Sequence, residues 1–114
     1  MSITKREFIE EYQKVINLLA KVNNWATITD FSKHGWEFGI SKLYDEVSDY
    51  ETFVHDHDLA WYNYMTISNR LEMILYGHPP ISDNIKLNHI YYIRFYAELS
   101  IRRMKCDLEW WKNR

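Results

Sequence analysis

Residues that interrupt helices are scarce in this sequence. Its 114 residues include only three Gly and two Pro, which leaves few positions for the tight turns that join short strands. This deficit favours long helices over a sheet. The chain also has no stretch approaching the roughly 18 uncharged apolar residues of a membrane span. We therefore expect a helical protein with no membrane-spanning segment.

Features of secreted proteins are missing as well. The only cysteine, Cys106, has no partner for an internal disulfide, so nothing indicates an oxidising compartment. Lys5 and Arg6 are followed by acidic residues, where a signal peptide would have its apolar segment. We expect a cytoplasmic location.

The familiar motifs of catalytic sites are absent too. There is no G-x-S-x-G and no Gly-rich phosphate loop. Arg70 and His78 are not at a spacing that indicates a small helical ribonuclease. His55 and His57 alternate with acids and could hold a divalent metal, but they match no known ligand spacing. We expect no enzymatic activity, no cofactor and no metal site.

The periodicity of apolar residues predicts a long helix from Asp83 to Trp111. Residues at three-or-four spacing form one face of this helix: Ile90, Ile93, Ala97, Ile101, Met104, Leu108 and Trp111. In its first half the helix is apolar nearly all round, which is typical of a helix enclosed by its neighbours. We expect this helix to be the central packing element.

Three further helices are predicted before it. The first is capped by Thr4 and ends at Asn23-Asn24, and the second keeps helical spacing from Trp36 to Val54. The third follows caps in residues 55–58 and ends at Gly77 with a positive φ; Pro79 and Pro80 forbid its continuation, and Ser82 caps the last helix. Residues 25–36 are predicted to be irregular, with a short hairpin as the alternative.

These elements together predict an all-α fold. We expect a single domain over residues 1–114, an antiparallel bundle of about four helices joined by short connections.

Charge is unevenly distributed along the chain. Residues 45–58 contain six acids and no Lys or Arg, although the net charge is only −2. Basic residues are concentrated after residue 93. Acids around exposed aromatic rings form a surface complementary to a basic protein. The other interpretation is an ordinary solvated helix face.

We favour the binding interpretation, with partner-binding residues Tyr44, Asp45, Glu46, Asp49, Tyr50, Glu51, Phe53, Asp56, Asp58 and Tyr62. The hypothesis is a non-catalytic inhibitor of a basic partner, such as a nuclease toxin or a defence enzyme. Bacterial toxin-immunity proteins, antitoxins and phage anti-defence proteins provide the analogy, which is one of type and not of family.

The alternative hypothesis is a small nucleic-acid-binding module. On the last helix, Arg94 lies among Tyr91, Tyr92, Phe95 and Tyr96, and Trp110-Trp111 lies between Lys105 and Lys112-Asn113-Arg114. Such surfaces bind phosphates and stack on bases, and Arg102 and Arg103 add positive charge between the two groups. The negative net charge argues against it, as does the expectation that the rings between Ile90 and Ala97 lie in the core. A homodimer formed through surplus aromatic residues is compatible with either hypothesis.

Overall fold

The first helix begins where its capping residue predicts. A computed structural model describes residues 3–77 and 80–114, and α1 spans Lys5–Ile28. The Thr4 hydroxyl accepts a hydrogen bond from the Glu7 main-chain N–H at 3.1 Å, which satisfies one of the free donors of the first turn. The expected end at Asn23-Asn24 is wrong, because α1 continues for one more turn and buries Ala26.

Four further helices complete the described part of the chain: α2 (Trp36–Asp49), α3 (Glu51–Asp56), α4 (Trp61–Tyr76) and α5 (Asp83–Lys112). Among residues 3–77 and 80–114 there is no strand, so the hairpin alternative is wrong. Of the segment predicted to be irregular, residues 25–36, only residues 29–35 are so, because α1 continues to Ile28 and α2 begins at Trp36. Phe31 in this connection packs edge to face against Trp36, with ring centroids 5.0 Å apart.

The four long helices form an antiparallel bundle in the ring order α1, α2, α4, α5. Each helix packs against its two neighbours in this ring, so α2 and α5 occupy diagonal corners. The all-α bundle is confirmed. The buried faces meet in one core, in which Val15, Leu19, Ile40, Ile67 and Ile93 are fully enclosed.

The long last helix is confirmed as a main packing element, because α5 packs against both α1 and α4. Ser82 caps it by accepting a hydrogen bond from the Ile85 main-chain N–H at 3.3 Å. The expectation that neighbours enclose its first half is wrong, however. Tyr91 and Phe95 are more than half exposed, because a corner helix has neighbours on only two sides.

Three predicted helix ends differ in detail. The predicted second helix is broken at Tyr50 into α2 and α3. The acids of residues 55–58 do not cap α4, which begins after Ala60 with no side-chain cap. Gly77 ends α4 with φ −55° rather than a positive φ. The predicted roles of His78 and Pro79 lie outside the described residues.

Among the described residues, no helix combines the length and the apolar character that crossing a membrane requires.

Candidate functional site

The outer face of α2 presents two of the predicted acids side by side. Ile40, Leu43 and Val47 are buried against the bundle, and residues on the opposite side of the helix therefore face water. Asp45 and Asp49, four residues apart, are both exposed on that side. We call this pair the acidic ridge.

The break between α2 and α3 lies beside the ridge. The Tyr64 hydroxyl, from the buried side of α4, donates a hydrogen bond of 2.6 Å to the main-chain oxygen of Val47. That oxygen is in the last turn of α2, where helix carbonyls have no partner of their own. Burial raises the pKa of Tyr64, and the nearby acids Glu51 and Asp49 raise it further. The phenol is therefore a permanent donor at the end of α2.

Two grooves flank the acidic ridge. The groove between α2 and α1 has a volume of about 390 Å³, and its lining includes Lys14, Lys21, Glu46 and Asp49. The groove on the α4 side is of similar size, about 390 Å³, and is lined by Ser48, Glu51, Thr52, His55 and Trp61. The predicted acids thus border both sides of the ridge.

Four of the six predicted acids form no ion pair within the described part of the chain. Glu46 lies 4.0 Å from the Lys21 ammonium, and Asp56 lies 3.3 Å from Nδ1 of His55. Within residues 3–77 and 80–114, the other four acids form no ion pair: Asp45, Asp49, Glu51 and Asp58. Lys42, also exposed, is the only Lys or Arg of α2 itself. No salt bridge therefore neutralises Asp45 or Asp49, although Lys14 and Lys21 line the groove beside Asp49.

The four predicted aromatic anchors differ in how free they are. Tyr62 is 80% exposed, whereas Tyr44 is half-buried with its ring 5.8 Å from that of Tyr76. Tyr50 is half-buried, and Phe53 packs 5.8 Å from the ring of Phe8. Of the four, Tyr62 has the most surface to offer a partner.

The paired histidines lie on different sides of α3. His55 packs against Trp61 of α4, with ring centroids 4.7 Å apart. His57 instead packs against Phe8 of α1 at 5.0 Å. Among the described residues, no three His, Cys, Asp or Glu side chains are grouped as metal ligands would be.

Asp58 lies away from the ridge, at the end of the bundle. It borders a cleft of about 580 Å³ whose walls include Phe8, Leu59, Asp107 and Trp111. Its φ is +51°, a left-handed conformation that is uncommon outside Gly, Asn and Asp. The ten predicted residues therefore do not form one continuous face.

The structure also joins polar residues that the sequence did not associate. The Arg70 guanidinium lies 3.0 Å from Nδ1 of His89 and 4.2 Å from the ring centre of Tyr92. Burial lowers the pKa of His89, and the Arg70 charge lowers it further; both effects favour the neutral imidazole. One feature of the sequence indicated this cluster: the apolar stripes of α4 and α5, which predict that the two helices pack together. Its members are half-buried or buried.

Cys106 is exposed on α5, as expected for a residue off its buried stripe. Arg94, Arg102 and Arg103 are exposed on the same helix. Since Tyr91 and Phe95 are exposed beside them, the argument that core packing hides the rings of this segment is wrong for these two residues.

Comparisons of this chain with family models, with curated proteins and with solved structures gave no match.

Proposed function

We propose that this protein is a non-catalytic inhibitor that binds a basic partner protein through the acidic ridge and its flanking grooves. The supporting observation is that Asp45, Asp49 and Glu51 carry no ion pair with a cation of the described chain. Exposed, unpaired carboxylates accelerate the approach of a positively charged partner.

The shape around the ridge supports the same function. Helix α2 stands between two grooves, so it can enter a cleft in a partner while the groove walls receive the partner's rims. Exposed Tyr62 on α4 supplies an aromatic side chain of the kind enriched at interface hot spots. A nucleic-acid-cleaving enzyme has a basic cleft of this kind, and carboxylates can occupy it in place of phosphates.

The test compares the wild-type chain with the double variant Asp45→Lys, Asp49→Lys. Both are immobilised and exposed to an extract of the native host, and the proteins retained only by the wild type are identified by mass spectrometry. The purified partner is then tested in stopped-flow association at several salt concentrations. We expect the double variant to associate at least about tenfold more slowly at low salt, with the difference shrinking as salt screens the charges.

A matched control reverses two exposed acids elsewhere, Glu10→Lys on α1 and Glu109→Lys on α5. It changes the net charge by the same amount and should retain most of the association rate. If both double variants slow association equally, net charge rather than the ridge is responsible, and the proposed site is wrong.

A second candidate, nucleic-acid binding, is favoured by the exposed rings of Tyr91 and Phe95 beside exposed arginines on α5. It predicts a shift in fluorescence anisotropy of a labelled single-stranded RNA or DNA at low salt, lost in the variant Arg102→Glu, Arg103→Glu. No shift with the wild-type chain would exclude it.

A further inference from the structure

An apolar stripe runs along the outer side of α5. Leu87, Tyr91, Phe95 and Leu99 are 53, 64, 53 and 37% exposed, and each is four residues from the next. Such residues form one ridge on a helix surface, here roughly 18 Å long at 1.5 Å per residue. We call these four residues the outer stripe. Large exposed apolar surfaces on a helix are typical of contact with another chain.

Two opposite charges flank this stripe on the same side. Arg94 and Glu98 each come one residue before a stripe residue, and both are exposed. They are spaced as a helical ion pair would be, yet they form none among the described residues. The order Arg before Glu is the less favourable orientation within one helix. Both charges therefore remain available to a neighbouring chain.

We propose that the outer stripe is the contact between two copies of this chain, with the α5 helices packed antiparallel about a two-fold axis. In such a pair, residues on the same flank of the two helices face each other. Arg94 of one copy can then meet Glu98 of the other, and the contact occurs twice. The chain thus supplies both halves of its own charge pair.

The same register also fits the apolar residues together. When Arg94 lies level with the second copy's Glu98, the axis passes at the level of Tyr96. The second copy's Phe95 then lies level with Ala97, between Phe95 and Leu99 of the first. Phe95 and Leu99 each fall between two stripe residues of the other copy, as ridges pack into grooves. Leu87 and Tyr91 extend beyond the end of the other copy's stripe and lie level with its Lys105 and Ile101.

The available surface suits a reversible dimer. Two half-exposed rings and two leucines present on the order of 400 Å² per copy, since a buried aromatic side chain covers ~150–250 Å². This is about half of the roughly 800 Å² per partner of a standard interface, which is typical of a weak, reversible contact. Because α5 is diagonal to α2 in the bundle, the dimer leaves both acidic ridges free, and it does not depend on the proposed function.

The test is sedimentation velocity of the full chain over a range of concentrations up to about 300 µM. Dimer dissociation constants up to about this concentration are measurable in that range. We expect the wild type to shift from monomer to dimer over this range. Phe95→Lys should remain monomeric throughout, because it places two charges in the middle of the contact. A wild type that is monomeric at the highest concentration would overturn the proposal.

Charge exchange tests the register. Arg94→Glu and Glu98→Arg should each weaken the dimer about tenfold or more, because the two-fold axis repeats every repulsion. The double variant Arg94→Glu, Glu98→Arg should restore the wild-type dissociation constant to within about threefold. Lys42→Glu, which makes the same charge change on α2 as Arg94→Glu makes on α5, is the control and should not change the dissociation constant. Failure of the double variant to recover would show that these charges do not face each other.

Discussion

Helices α2 and α5 lie at diagonal corners of the bundle, and they differ in the side chains that their outer faces expose to water. The outer face of α2 is polar around Asp45 and Asp49, with a single exposed ring, Phe38 (81%), near its start, while its buried side is apolar. This is the usual division of an amphipathic helix. The middle of α5 buries Ile93 and Ala97 but also exposes Tyr91 and Phe95. An apolar pattern on both sides of this helix therefore does not mean that neighbours in the same chain enclose it.

The two faces also differ in whether their exposure to water is energetically favourable. Asp45 and Asp49 on α2 are exposed to water, so their presence needs no partner. The outer stripe of α5 gains nothing from exposure, because apolar surface is stabilised only when it is removed from water, by about 25 cal/mol per Å². The exposure of apolar side chains on α5 thus requires a specific explanation on energetic grounds. The exposed charges of α2 do not require one, and only the identification of a partner would assign them a function.

The largest effect should come from comparing the two sides of α5 directly. Ile93 is fully buried, whereas Phe95, two residues later, is 53% exposed. Ile93→Ala should lower the free energy of unfolding by about 2–5 kcal/mol, because it leaves a cavity in the core. Phe95→Ala should cost less than about 1 kcal/mol in the monomer. Urea unfolding followed by circular dichroism, at a concentration where the chain is monomeric, measures both.

Comparable losses in these two variants would mean that Phe95 packs within its own chain. In that case the outer face of α5 would not differ from that of α2 in exposing apolar surface, and the outer stripe would have no surface to offer a second copy.

An intermediate effect is expected at the α2–α3 break, which lies beside the acidic ridge. Tyr64→Phe removes the hydroxyl that donates to the Val47 main-chain oxygen. Since the site is buried, the unpaired carbonyl should cost about 1–3 kcal/mol of unfolding free energy. Tyr62→Phe, on the exposed side of the same helix turn, is the matched control and should cost almost nothing. Equal effects would show that the hydrogen bond does not hold the end of α2.

Sequence periodicity predicted the helices well and their interruptions poorly. Thr4 and Ser82 were identified as caps because capping depends on residues three apart. The break at Tyr50 was missed because the apolar spacing continues through it to Val54. The hydrogen bond that the structure shows next to it comes from Tyr64, which is distant in sequence and belongs to another helix. The left-handed Ala60 that precedes α4 has no local sequence signal, since Ala favours right-handed helix.

The candidate site shows the same limit. Spacing of four residues was enough to place Asp45 and Asp49 on one exposed face of α2. Their separation from Asp58, which lies by a cleft against α1 and α5, follows from the ring order of the helices and could not be read from spacing. The exposure of Tyr91 was missed for the same reason: periodicity shows that a face is apolar but does not show whether a neighbour covers it.

The smallest effect, and the one that bears most directly on the ridge, concerns its own stability. Asp45 and Asp49 are like charges four residues apart, and Asp49 ends α2, where a negative charge opposes the helix dipole. Replacing both with Asn should therefore raise the free energy of unfolding by about 0.2–0.5 kcal/mol at low salt and by less at high salt. The control Glu10→Gln, which removes an acid paired with Arg6 at 3.2 Å, should not stabilise the chain. A loss of stability in the Asn variant would mean that the ridge supports the fold, and its acids would then need no partner to account for them.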